Sequence, residues 1–175
     1  MQKDESTTAR QPPRTPWSKG KLIGAKPPLR AKHVWSIRTK LRVEGRTRDL
    51  AMFNLAIDSK LRGCDVVSLR VEDVAPHGQA VDRATVRQKK TGQPVRFELT
   101  EQTREAVDTY IRTAGKKVGQ FLFVGRRDPE GAISTRQYAR LVSQWVAGIG
   151  LDQRQPDFQH TVRTVVFSRA YERPR

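Results

Sequence analysis

Residues 60–69, KLRGCDVVSL, constrain the fold of this chain more than any other stretch. Apolar residues recur at helical spacing before and into this stretch, which predicts a helix with one buried stripe. A second apolar set starts only a few residues later, at 66–69. Arg62 and Asp65 are therefore predicted to lie between two buried faces. The predicted stripe is Leu50, Phe53, Ile57 and Leu61.

The pair Arg62 and Asp65 has two interpretations. The residues are three apart, so Asp65 is close enough to orient the guanidinium, and helix-spaced charge pairs of this kind are common structural features. Alternatively, an arginine fixed between packed faces offers a rigid fork of donors that suits phosphate oxygens. The segment alone leaves both a structural ion pair and an anion site open.

The charge of the chain points to a polyanionic partner. Its 175 residues contain 34 Lys and Arg against 18 Asp and Glu, a formal net charge of +16. Such a field favours nucleic acid and predicts salt-dependent binding. A basic RNA-binding protein would also explain the charge. A membrane-surface protein is disfavoured, because no long basic amphipathic helix with an aromatic face is present.

Other features of composition predict a cytoplasmic protein. The sequence contains no apolar run of membrane-spanning length and no apolar N-terminal signal region. The single Cys64 excludes an internal disulfide and a cysteine metal cluster, and is expected to be a small buried residue.

The pattern along the chain predicts one mainly helical domain with a small antiparallel β-hairpin sheet, an α+β fold. Residues 1–30 are basic and rich in proline, which predicts a disordered arm. Such an arm either follows DNA phosphates or serves only as a solubilising tail. The domain is predicted over residues 31–164, and residues 165–175 form a divergent tail.

Two segments with period-two alternation predict the hairpin. Residues 85–90 and 95–99 form its strands, with Lys89 and Lys90 at the tip and a Gly-containing turn between them. An extended segment is predicted to begin at Val71 and Val74. Ser134 or Thr135 is expected to cap a later helix.

Aromatic and histidine residues are assigned by helical periodicity. His33 and His77 lack partners at metal-ligand spacing and are predicted to lie on the surface. The expected core or packing residues are Tyr110, Tyr138, Trp35 and Trp145.

His160 and Arg163 form an H-x-x-R pair, one helical turn apart and so on one face. Taken alone, this is a common surface pair. With Arg62 and a hairpin lysine (Lys89 or Lys90), it supplies two arginines that can clamp a phosphate, a proton donor for a leaving oxygen, and a histidine that can move a proton. Phosphoryl transfer depends on such a set, since positioning and charge stabilisation supply most of its rate.

In this order, the segments resemble the catalytic domain of the tyrosine recombinases, the phage integrase family. SKLRGCDVVSLRVEDV is similar to the first arginine box, and RQKKTGQPVRFELT to the lysine-bearing hairpin. FLFVGR is similar to the short segment before the next helix, and HTVR to the H-x-x-R box. The resemblance runs from about residue 31 to about residue 164, and it implies DNA strand cleavage and rejoining through a 3′-phosphotyrosyl intermediate.

The resemblance also implies the partners and the role of each residue. Double-stranded DNA is the substrate, in a system of integration or excision, and no metal or nucleotide cofactor is needed. Family members act as tetramers on two DNA sites, whereas the free chain is expected to be a monomer or weak assembly. The implied roles are Arg62 and Arg163 as phosphate clamps, Asp65 as support for Arg62, Lys90 as general acid with Lys89 as the alternative, and His160 as an aid to proton transfer.

The chain departs from the family pattern at the tyrosine nucleophile. Tyr171 follows Arg163 by eight residues, closer than the family's nucleophile, and its neighbours do not resemble the tyrosine motif. No nucleophile is therefore identified, and the catalytic domain is expected to be truncated after the H-x-x-R box, for example by a frameshift. The chain is then expected to be inactive as it stands. The alternative function is a non-catalytic DNA-binding remnant or a regulator of recombination sites.

Overall fold

A computed structural model describes residues 30–125, 128 and 130–151. Within these residues the predicted fold is confirmed, because the structure is mostly helical with one two-stranded antiparallel sheet. Residues 1–29 of the predicted arm over 1–30, the H-x-x-R pair, Tyr171 and the predicted tail lie outside the described residues. The elements are α1 (Ala31–Val43), α2 (Thr47–Ser59), α3 (Gly63–Val66), α4 (Val71–Val74), β1 (Arg83–Arg87), β2 (Pro94–Glu98), α5 (Glu101–Ala114) and α6 (Thr135–Gly148).

Helix α2 ends two residues earlier than its apolar stripe predicts. Lys60 adopts a left-handed backbone conformation (φ 51°) and stops the helix after Ser59. A left-handed non-glycine residue is disfavoured by contacts of its Cβ atom, so the surrounding packing holds it there. Leu61 thus lies beyond the helix, contrary to the prediction, although its side chain is still buried. The left-handed turn brings the chain directly into α3.

The segment predicted to be extended from Val71 to Val74 is instead the single helical turn α4. The prediction was wrong because the two valines, three residues apart, are both buried on one side of a helical turn. The Asp73 carboxylate accepts a hydrogen bond from the Arg70 backbone N–H at 2.7 Å and caps the turn.

Strands β1 and β2 pair with Val86 opposite Val95 and Thr85 opposite Arg96. Strand β1 ends at Arg87, so Gln88 to Lys90 belong to the turn and not to the strand that the sequence predicts. A two-stranded sheet has little stability by itself. Its inward side chains, Ala84, Val86 and Phe97, therefore pack into the helical core.

The starts of α5 and α6 are held in different ways. Ser134 caps α6 as predicted, since its Oγ accepts a hydrogen bond from the Gln137 N–H at 3.2 Å. Thr100 precedes α5, but its hydroxyl donates to Asp58 Oδ2 at 2.8 Å, and its backbone N–H donates to the same oxygen at 2.9 Å. Asp58 therefore joins the end of α2 to the start of α5.

Helix α6 contributes two aromatic contacts to the core. The Trp145 ring packs edge-on against Phe53 with ring centroids 5.7 Å apart, and against Tyr138 with centroids 6.3 Å apart. The indole N–H of Trp145 donates to Asp49 Oδ2 at 3.3 Å. Burial of Tyr110, Tyr138 and Trp145 confirms the core positions predicted for them.

Two predictions on α1 were wrong for one reason. The buried face of α1 is formed by His33, Ile37 and Leu41, which follow one another at four-residue spacing. Trp35 is two residues from His33 and so points about 200° away around the helix; it is 70% exposed and is not a packing anchor. His33, predicted on the surface, is buried, whereas His77 is exposed as predicted.

Two further observations concern composition. Cys64 is partly exposed and not fully buried as expected. No helix in the described ranges has both the length and the apolar character that crossing a bilayer requires.

Candidate functional site

Arg62 stands at the start of α3 on a backbone that is fixed from both sides. The buried residues Leu61 and Gly63 flank it. Its carbonyl oxygen accepts hydrogen bonds from the Asp65 N–H at 2.8 Å and the Val66 N–H at 2.9 Å. The arginine side chain therefore starts from a rigid backbone. A rigid starting position lowers the cost of ordering the side chain when a ligand binds.

Both charged side chains of this turn contain an unpaired buried atom. Among the described residues, Arg62 Nη1 and Asp65 Oδ2 have no hydrogen-bond partner although both atoms are inaccessible to solvent. Within the described part of the chain, no hydrogen bond or ion pair joins Arg62 to Asp65. The structural ion pair, one of the two interpretations of the sequence, is therefore absent. Buried polar atoms without partners are costly, and most folded proteins avoid them.

Asp65 binds the hairpin instead. Its Oδ1 accepts a hydrogen bond from the Lys89 backbone N–H at 2.9 Å, and the whole residue is buried. The turn beyond Lys89 is closed internally, because the Gln88 N–H donates to the Gln93 carbonyl at 3.0 Å and the Gly92 N–H donates to the Gln88 carbonyl at 2.8 Å. These bonds hold the tip of the hairpin beside the turn that carries Arg62.

The two tip lysines are exposed and follow this anchor directly. Lys89 has its backbone bonded to Asp65, and Lys90 is the next residue. A lysine places a compact, mobile ammonium group on a flexible stem. The bonded Lys89 backbone therefore anchors both lysines beside the turn that carries Arg62.

Gln88 is a site residue that the sequence interpretation missed. It is 4% exposed, and its Oε1 accepts a hydrogen bond from the Thr91 hydroxyl at 2.8 Å. A signal was present, since Ala84, Val86 and Gln88 continue the period-two alternation that places every second side chain of β1 inward. Gln88 supports the turn from the buried side.

The tyrosines of the described region are core residues. Burial raises the pKa of Tyr110 and the pKa of Tyr138 above the ordinary value of a phenol. Because burial disfavours the phenolate, neither hydroxyl is prepared for nucleophilic attack in the folded domain.

The structure thus brings together four of the predicted site residues, Arg62, Asp65, Lys89 and Lys90. His160, Arg163 and Tyr171 lie outside the described residues, and the roles given to them stay predictions. In the part of the chain that is described, no three His, Cys, Asp or Glu side chains are grouped as metal ligands.

A helical domain with a basic hairpin tip bonded to an arginine-bearing turn is the arrangement of a recombinase catalytic domain. The chain belongs to the phage integrase family, whose profile matches residues 29–173. No curated protein matches the chain by sequence.

Solved structures share this fold. XerA recombinase matches with a TM-score of 0.63 and 16% identity, over 81% of this chain and 50% of that protein. XerH site-specific recombinase bound to difH substrate, in a pre-cleavage complex, matches with a TM-score of 0.58 and 10% identity, over 80% of this chain and 42% of XerH. The Tn1549 transposon integrase with right end DNA matches with a TM-score of 0.51 and 18% identity, over 82% of this chain and 52% of the integrase. The chain therefore spans about half the length of these proteins.

Proposed function

We propose that this chain binds double-stranded DNA and holds one backbone phosphate at Arg62, as part of a site-specific recombinase catalytic domain. The observation that carries this proposal is the position of Arg62, a partly exposed residue on a fixed backbone beside a hairpin tip that Asp65 holds. The guanidinium N–H groups of Arg62 other than the buried Nη1 would donate to a phosphate oxygen, and charge-assisted bonds from arginine to phosphate are among the strongest in proteins.

Two independent features support a DNA partner. The net charge of +16 favours a polyanion. Two of the structural relatives, XerH and the Tn1549 integrase, are described in complex with DNA. A homo-oligomer on DNA and a cytoplasmic location belong to the same proposal.

The proposed chemistry is that of the family. A tyrosine hydroxyl attacks the phosphorus, the bond to the 5′-oxygen breaks, and a 3′-phosphotyrosyl bond forms. Lys90, or Lys89 in its place, gives a proton to the leaving 5′-oxygen, and His160 assists the transfer of the tyrosine proton. Arg62 and Arg163 stabilise the charge on the non-bridging oxygens.

For Tyr171 the proposal differs from the family role. Its spacing from Arg163 and its neighbours do not match the family's tyrosine motif. The chain as given is therefore proposed to engage the phosphate without forming the covalent bond, which corresponds to the second candidate function, a non-catalytic binder of recombination sites.

Replacing Arg62 with alanine tests the phosphate site. A preferred duplex is first enriched from a random-sequence pool with the wild-type chain, and a scrambled duplex serves for comparison. Arg62→Ala is expected to weaken binding to the preferred duplex about tenfold, or about 1.4 kcal/mol, because one charge-assisted contact is lost. Binding to the scrambled duplex should change less than about threefold. An equal loss on both duplexes would show that Arg62 only adds to the general basic field.

A nicked duplex that traps the phosphotyrosyl intermediate tests the role of Tyr171. After incubation and denaturing electrophoresis, the wild-type chain is expected to give no covalent protein–DNA adduct, while binding to the same duplex is retained. The matched variant is Tyr171→Phe. An adduct that forms with the wild-type chain and disappears in Tyr171→Phe would identify Tyr171 as the nucleophile and contradict the non-catalytic proposal.

A further inference from the structure

The outward side of the β1–β2 sheet is a second charged surface, distinct from the turn that carries Arg62. Alternation along each strand places Ala84, Val86 and Phe97 in the core and leaves the opposite side exposed. The exposed side chains of this sheet face, from here called the hairpin face, are Arg83, Thr85, Arg87, Pro94, Arg96 and Glu98.

Charge on the hairpin face is compensated only at the end far from the tip. Arg83 is opposite Glu98, and Arg83 Nε lies 3.0 Å from Glu98 Oε1. The exposed Asp82 precedes β1 at this same end. The acidic residues of the described hairpin are thus confined to its base, and Arg83 is already neutralised by one of them.

In the half of the hairpin face near the tip, the charged side chains are all basic. Arg87 donates one bond, from Nη1 to the Gly92 carbonyl at 3.2 Å, and keeps its other donors. Arg96 is exposed opposite Thr85, and within the described residues no hydrogen bond or ion pair engages its side chain. Because Arg87 is two residues from Thr85, Arg87 and Arg96 are diagonal neighbours on one face.

The spacing of these two arginines suits a nucleic-acid backbone. Diagonal neighbours across a sheet are about 7–8 Å apart. One strand of duplex DNA rises about 3.4 Å per phosphate while it winds around the axis, so successive phosphates are about 7 Å apart and the separation of the two arginines corresponds to roughly one phosphate step. Arginine presents donors that match phosphate oxygens. A lipid surface fits less well, because the exposed large apolar side chains of the described region, Trp35, Val43 and Val118, lie outside the hairpin face.

We infer that the hairpin face, through Arg87 and Arg96, contacts the DNA backbone beside the phosphate held at Arg62. The inference rests on the DNA binding proposed above. The hairpin tip is bonded to Asp65, so the end of the hairpin that carries the basic half of the hairpin face is the end held at the turn of Arg62. The two arginines add affinity without reading sequence, since backbone contacts position a protein on DNA but carry no base information.

The salt dependence of binding measures these contacts. Affinity for a fluorescent mixed-sequence duplex is determined by anisotropy over a series of salt concentrations for the wild-type chain and Arg87→Gln/Arg96→Gln. Each phosphate contact contributes about 0.9 to the slope of log affinity against log salt, so the double variant is expected to lose about 1.8. Each single variant should lose about half of that.

Two control variants separate position from charge. Arg112→Gln/Arg140→Gln removes the same charge from exposed residues of α5 and α6 and is expected to leave the slope within about 0.5 of wild type. Arg87→Lys/Arg96→Lys keeps the charge and should keep the slope. Thermal unfolding of each variant confirms that these exposed substitutions leave the fold intact.

The outcomes distinguish the two proposals. A steep wild-type slope with an unchanged slope in Arg87→Gln/Arg96→Gln would overturn the hairpin-face inference alone. An equal decrease in Arg112→Gln/Arg140→Gln would do the same, because the effect would then follow net charge and not position. A wild-type slope near zero would overturn the proposed DNA binding itself, and the inference with it.

Discussion

Replacing Trp145 with alanine is expected to lower the free energy of unfolding by about 3–5 kcal/mol, the usual cost of removing a large buried aromatic side chain. Trp145 is 2% exposed and contacts the rings of Phe53 and Tyr138. The substitution also leaves Asp49 without the indole N–H that donates to it. Urea denaturation followed by far-ultraviolet circular dichroism measures the change.

The matched control is Trp35→Ala, since the same residue type on α1 is 70% exposed. This change is expected to alter the unfolding free energy by less than about 0.5 kcal/mol. Trp145→Phe, which keeps a ring, should lie between the two and provides a folded variant if Trp145→Ala is too unstable. Similar losses for Trp35→Ala and Trp145→Ala would contradict the packing described here.

Replacing Asp65 with alanine is expected to release the hairpin tip from α3. Asp65 Oδ1 accepts the Lys89 N–H at 2.9 Å in a buried setting. A hydrogen bond to a charged group stabilises by about 1.5–3 kcal/mol, so the Lys89 amide should exchange about 10–100 times faster with solvent. Amide hydrogen exchange followed by nuclear magnetic resonance reports this directly and needs no DNA.

Asp65→Asn is the matched variant, because it keeps an oxygen acceptor of the same shape for the Lys89 N–H. Its amide exchange should stay closer to wild type than that of Asp65→Ala, since a neutral acceptor still stabilises by about 0.5–1.5 kcal/mol. An unchanged Lys89 exchange rate in Asp65→Ala would show that the turn bonds around Gln88 hold the tip without Asp65.

Much of the fold followed from periodicity. The apolar stripe predicted α2, a cap at Ser134 or Thr135 predicted α6, and the strand alternation predicted the hairpin. These signals are strong because one buried face per element repeats over several turns or residues. Short elements carry too few repeats, and so α4 was predicted as an extended segment although it forms one helical turn.

Side chains on α1 show where the sequence alone was insufficient. Trp35 is the more apolar residue, yet His33 lies on the face that α2 and α6 cover. Helix α1 has few apolar residues, so helical periodicity did not define which side of the helix is at the centre of its buried face. The position of the neighbouring helices decided it, because they bury whichever residues lie beneath them.

The sequence by itself determined the residue types of the site: Arg62 between two buried faces, Asp65 three residues later, and lysines at a hairpin tip. Only the tertiary structure decided what Asp65 does. It bonds the Lys89 backbone, which is distant in sequence, and leaves Arg62 Nη1 without a partner. The physical reason is that sequence spacing limits which local pairs are within reach, whereas packing of the hairpin against α3 offered Asp65 a buried backbone donor.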